Sequence, residues 1–161
     1  MCDITSIGSR KNLSYLALIT DAYSKKGLLG INAPYSLNAS GSLEALDIAL
    51  KNKQEPLIHH FNREPQYYAN DYHNFLNDSN ILPSTTEQYD PYKNAIAESI
   101  NGMLKQEFNI DKYHTELKTK ADLVKSVIKT YNQIRPHLSN YMLTSNQIHA
   151  QSKLKTKKVV I

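Results

Sequence analysis

Leu13-Ser-Tyr-Leu-Ala-Leu-Ile-Thr20, Asp21-Ala-Tyr-Ser-Lys25, and Lys26-Gly-Leu-Leu-Gly-Ile-Asn-Ala33 follow one another near the start of this 161-residue chain. The first segment is aliphatic and β-branched, which suits a pleated, buried surface. The second is polar and rich in turn formers, and the third carries Leu28, Leu29 and Ile31. Together with the short run Asp3–Ile7 just upstream, they predict three extended strands in antiparallel style.

Working outward, the pattern changes period. Ser42 is placed to cap a helix whose Leu43, Leu46 and Leu50 recur at i, i+3 and i+7. Glu55-Pro56 interrupts it, and Leu57–Phe61 resumes as a strand. A helix is predicted after Asn70, with Tyr72, Phe75, Leu76 and Ser79 on one face. Ile81–Thr86 then reads as a short strand, and Pro83 assigns it to an edge or a strand start. From Asn94 the apolar positions Ile96, Ile100, Met103 and Leu104 make a helical stripe. Thr119 and Asp122 open a further helix through Val124, Val127, Ile128 and Tyr131, which Pro136 stops. The order β-β-β-α-β-α-β-α-α predicts an α/β domain, a five-stranded mixed sheet flanked by helices. It matches the ribonuclease-H-like fold. One core domain over 1–150 and a basic tail over 151–161 are expected.

The composition is that of a globular chain, 40% hydrophobic and 21% charged. No apolar run approaches the ~18 residues of a membrane helix, no secretory signal is visible, and Cys2 is the single cysteine. A cytoplasmic protein without a disulfide framework or a cysteine-based zinc site is expected. The net charge of +4 is unevenly spread. Residues 1–92 hold 7 Lys+Arg against 10 Asp+Glu, and residues 93–161 hold 12 against 5. A basic second half suits a phosphate-backbone partner, although a solvated face and the lysine-rich tail would give the same count.

Three polar positions stand out on this skeleton. Asp3 lies on the first strand, Asn62 just past the fourth, and Glu98 one turn into the helix after the fifth, with 35 residues between Asn62 and Glu98. Lys105, seven residues after Glu98, falls within roughly 20° of the same helix face, with Asn94 and Asn101 near that stripe. Singly, each has an ordinary explanation as a strand-edge acid or a solvated helix residue. His59 and His60 are adjacent on a strand, point to opposite faces, and are poorly placed to share an ion.

Taken together, these segments resemble the integrase-like catalytic core of bacterial insertion-sequence transposases. Asp3-Ile-Thr is similar to the first-aspartate motif, and Leu16-Ala-Leu-Ile-Thr-Asp21-Ala-Tyr-Ser24-Lys to the strand and turn after it. Leu57-Ile-His-His60 through Gln66-Tyr67 resembles the segment of the second aspartate. Tyr89-Asp-Pro-Tyr-Lys-Asn94-Ala95 to Glu98, then Leu104-Lys105-Gln-Glu107, looks like the glutamate helix. Tyr131-Asn132 to Arg135-Pro136-His137 resembles the closing motif. The resemblance implies a DDE-type polynucleotidyl transferase that cuts and joins DNA at insertion-sequence ends and target. Asp3 and Glu98 would be metal ligands, with Asn62 at the third catalytic position. Magnesium or manganese would be the cofactor, an ion pair ~3.5–4 Å apart. Lys105, Arg63 and Asn94 would face DNA, and partners would include further copies or intact transposase subunits.

The chain departs from the family at its second carboxylate. Where the pattern has Ser-Asp-Arg-Gly-Ser, this sequence has Phe61-Asn62-Arg63-Glu64-Pro65. Asparagine keeps one carbonyl oxygen and loses the charge and the second oxygen. Metal binding and catalysis are therefore expected to be impaired. Glu64 is a conceivable substitute acid, since two residues along a strand share a face. The resemblance also implies DNA-reading helices upstream of Asp3, so the chain reads as an N-terminally truncated core. A non-catalytic DNA- or transposase-binding fragment and a decayed gene product are the alternatives.

Overall fold

The structure is a computed structural model; it describes residues 1–8, 13–32, 40–51, 58–85, 95–112 and 115–157. Five strands form one mixed sheet in the order β3-β2-β1-β4-β5. They are β1 (Cys2–Ile7), β2 (Ser14–Thr20), β3 (Gly27–Asn32), β4 (Ile58–Phe61) and β5 (Leu82–Thr85). The first three pair antiparallel, as their hairpin-like spacing predicts, and β1 with β4 and β4 with β5 pair parallel. β5 is an edge, so Pro83 leaves one side of the strand without needing a donor.

Alternation along the strands builds two cores. Ala17 and Ile19 of β2 join Cys2, Phe61, Tyr67, Tyr72 and Leu76 on one face. That face is covered by α1 (Ser40–Leu50) and α2 (Asn70–Asp78). Leu16 and Leu18 join Ile7, Ile100, Leu104, Val124, Ile128 and Tyr131 on the other. There α3 (Ala95–Phe108) and α4 (Leu117–Ile134) pack.

Two helix starts differ from expectation. Ser42 lies inside α1, two positions past its start at Ser40 and fully buried, and its hydroxyl makes no capping bond. Thr119 lies inside α4, which begins at Leu117 after Glu116 in extended conformation. Buried Lys120 belongs to the packed face of this first turn, where its Nζ donates to Ser14 Oγ at 3.1 Å. At the other end, Arg135 is extended before Pro136, as steric conflict with the proline ring requires. Beyond it come a small ribbon, β6 (Pro136–His137) with β7 (Leu143–Thr144), and α5 (Ser145–Lys157). The pattern reading contained neither.

The closing segment is tied to the β2–β3 turn. The Asn132 amide accepts from Gly27 N–H at 2.9 Å and donates to Gly27 C=O at 2.8 Å. Tyr131 donates to Lys25 C=O, and Asn140 to Ser24 C=O at 2.9 Å. These bonds give the Tyr131–His137 motif a structural meaning: it clasps a hairpin more than a hundred residues away.

Candidate active site

Strand parity decides where Asp3 points. Cys2 packs with Phe61 on the α1–α2 face, so Asp3, like Ile7, faces α3. The parallel register pairs Cys2 with Phe61 and sets the next residues, Asp3 and Asn62, side by side. Asn62 Nδ2 donates to Asp3 Oδ1 at 3.3 Å. From the helix, Asn101 Nδ2 donates to Asp3 Oδ2 at 2.7 Å. Both carboxylate oxygens of Asp3 therefore receive an amide N–H.

Glu98 and Lys105 stand three residues before and four after Asn101, so all three share one face of α3. Asp3 is buried, and burial raises its carboxyl above the ordinary range; the Asn101 bond lowers it, the Glu98 charge raises it, and Lys105 lowers it. The structure thus brings Asp3 and Asn62 into contact and sets Glu98, exposed, one helical turn from that contact. Arg63 is exposed at the bend after Asn62. Asn94 lies outside the described residues.

Glu64 also comes to this pole. β4 ends at Phe61, so continued strand pairing is not what brings it. Asn62 Oδ1 accepts Glu64 N–H at 3.3 Å, a local side-chain turn. Glu64 is extended (φ −69°, ψ 138°) before Pro65, which opens a short 3-10 turn to Tyr68. Its Oε1 then takes Asn62 Nδ2 at 3.4 Å. Burial, then the Asp3 charge, raises the Glu64 carboxyl, with the Asn62 bond opposing.

Beneath lies an aromatic floor of Phe61, Tyr67 and Tyr72. The Cys2 thiol meets Tyr67 OH at 3.0 Å, and burial pushes it up to about 12, so it is inert packing. His59 Nε2 and Tyr72 OH lie 2.8 Å apart, whereas His60 Nδ1 meets Ser84 Oγ at 3.0 Å. The two histidines have separate partners, as strand alternation requires.

Among the described residues no three His, Cys, Asp or Glu make a ready metal cage. What stands here is a partial set of hard oxygen donors: Asp3, Glu64, the amide oxygens of Asn62 and Asn101, and Glu98 nearby. Asn101 Oδ1 is buried without a partner. Oxygen-only donors of this kind fit magnesium or manganese rather than softer metals.

A mixed sheet with helices on both faces and an acidic pole beside its central strand is the ribonuclease-H-like arrangement. Two models described as "Integrase core domain" match residues 1–91 and 79–144, and the chain belongs to that family. It is 31% identical over 114 residues to a provisionally named transposase of insertion sequence element IS986/IS6110 from Mycobacterium tuberculosis. That match covers 66% of this chain and 41% of the relative. The transposase of IS629 from Shigella sonnei is likewise 31% identical over 106 residues, covering 65% of this chain and 36% of that protein. The chain thus spans less than half the length of these curated relatives. The integrase catalytic core of HTLV-2, solved with magnesium in a trimeric form, superposes with TM-score 0.71 at 18% identity. The superposition covers 92% of this chain and 93% of that one, and establishes the shared fold.

Asn101 and Glu64 make contacts at this site that periodicity alone does not indicate. Spacing held the first signal, since Asn101 is on the Glu98 stripe. For Glu64 only the neighbouring asparagine and proline hinted at the turn.

Proposed function

We propose that this chain is the DNA-cutting and strand-joining core of an insertion-sequence transposase, with its reactive pole at Asp3, Asn62 and Glu98 and its catalysis impaired by Asn62. The observation that carries this reading is the meeting of Asp3 with Asn62 and with the Glu98–Asn101–Lys105 face of α3. Asp3 and Glu98 would hold magnesium or manganese, which when bound polarises a phosphodiester and activates water or a 3′-hydroxyl. Asn101 fixes the orientation of Asp3. Lys105, Arg63 and Asn94 would line the path of the DNA backbone, at insertion-sequence ends and in the target. Asn62 offers one neutral oxygen where a carboxylate would carry charge, which weakens stabilisation of the transition state. Such work on cellular DNA belongs in the cytoplasm. Among the described residues no helix is long and apolar enough to cross a membrane.

The test is a nicking and strand-transfer assay on insertion-sequence end DNA with Mg²⁺ or Mn²⁺. Turnover at least about 10²-fold below that of an intact relative is expected. Turnover equal to the relative's would overturn the impairment. A second reading, a non-catalytic fragment that binds DNA or intact transposase subunits, draws on the Asn62 amide bonded to Asp3. Capture of an intact relative in pull-down, with no nicking, would favour it.

A further inference from the structure

We propose that Glu64 supplies the carboxylate that position 62 lacks, and that Asp3, Glu64 and the side-chain carbonyl of Asn62 together hold one divalent cation of the magnesium type. The inference rests on reading this pole as the reactive centre, and it assigns a ligand from outside the family's acidic triad. Geometry supports it first. One amide group, that of Asn62, stands between Asp3 Oδ1 at 3.3 Å and Glu64 Oε1 at 3.4 Å. Its Nδ2, with partial positive charge, occupies the place that a cation between two carboxylates would take. Glu64 is held there from both sides of its backbone. Its N–H donates to Asn62 Oδ1, and its carbonyl accepts Tyr67 N–H at 3.1 Å.

An independent observation comes from α3. Asn101 is only 5% exposed and donates to Asp3 Oδ2, yet its Oδ1 has no partner. A buried acceptor without a donor calls for one; a water on a cation bound to Asp3 would satisfy it. The charges point the same way, because the Glu98 charge raises the Asp3 carboxyl and the Asp3 charge raises that of Glu64, with Lys105 opposing at Asp3. A half turn of the Asn62 amide exchanges Nδ2 for Oδ1; it gives up the bond from Glu64 N–H and leaves the Tyr67 N–H bond to hold the Glu64 backbone. The three side chains then present oxygens alone to one another, the donor type magnesium prefers. Glu64 is one methylene longer than aspartate and starts two residues later. The cation it holds is displaced from the position an aspartate at 62 would set, which fits binding with little strand transfer.

Manganese, titrated by calorimetry and by its paramagnetic resonance signal, is the probe. The full chain should bind one Mn²⁺. Glu64→Gln keeps an acceptor for Asn62 and removes a charge that Asp3 repels, so it should not lower the metal-free melting temperature while weakening Mn²⁺ at least about tenfold. Asp3→Asn should weaken it as much, and Asp122→Asn, on the exposed side of α4, should not. Loss with Asp3→Asn but full affinity in Glu64→Gln would overturn the role of Glu64 and leave the reactive pole standing. Absence of Mn²⁺ binding in the unaltered chain would overturn the inference. Binding regained in Asn62→Asp would then retain the pole, and failure there too would remove both.

Discussion

At position 62 the side chain is an amide, and its N–H reaches two neighbouring acids, Asp3 and Glu64. In the metal-free protein that N–H lies between Asp3 and Glu64 and relieves their repulsion. Asn62→Asp would put a third negative charge against two. The melting temperature without metal should fall by about 2–4 °C, the effect of about 1 kcal/mol in a chain of this length. Millimolar Mn²⁺ should more than reverse that fall, and strand transfer should recover little, because Pro65 still sets the direction of the turn. A variant that melts higher than the parent in chelator would contradict this account. His59 offers a pH test in the same core. Burial lowers its pKa from 6.5 to about 3, so the folded state holds the ring neutral while the unfolded chain protonates it. Stability is therefore complete above pH 6.5 and declines as the pH falls toward 3. Melting curves between pH 7 and pH 4 should show this slope, and His59→Gln should flatten it.

Among the elements, the clasp between α4 and the β2–β3 turn is where one side chain matters most. Asn132→Ala would strip both Gly27 bonds and leave two buried backbone groups without that partner. A loss of about 2–6 kcal/mol is expected, at about 1–3 per orphaned group. Hydrogen exchange should show faster opening at residues 24–27 than at β1; uniform acceleration would argue against a local clasp. β1, β2 and α1–α4 were legible because each buries a face wide enough to stamp its period on the sequence, whereas β5 buries none of its four residues. The ribbon was not, because Tyr141 and Met142 turn the chain with positive φ and no glycine marks the place. Nor was α5 legible, whose first turns bury only Ser145 and Ile148. At the site, Asp3, Asn62 and Glu98 could be picked out by placing polar residues on the skeleton. The bond from Asn101 and the return of Glu64 depend on side-chain direction, which periodicity does not carry.

For the whole molecule, the charge division between the halves governs how DNA would be met. α3 and α4 lie in the basic half and cover one face of the sheet, the face toward which Asp3 points. Binding through the phosphate backbone, without base readers, falls at about 10⁻⁴–10⁻⁶ M at physiological salt and weakens steeply as salt rises. Gel shifts across a salt series should give a linear log–log decline, and Lys105→Ala should reduce its slope by about one. An affinity indifferent to salt would rule out this mode.

The hairpin clasp also sets a timetable. Gly27 waits for Asn132, Lys25 for Tyr131 and Ser24 for Asn140, contacts spanning 105 to 116 residues of chain. A ribosome adds about 5–20 residues per second, so the β2–β3 turn stays unclasped for roughly 5–20 s after it emerges. Loop closure over such distances slows folding more than it weakens the final state. During that interval the nascent sheet carries an unfinished edge, and chaperone capture or pairing between neighbouring nascent chains has its opening there.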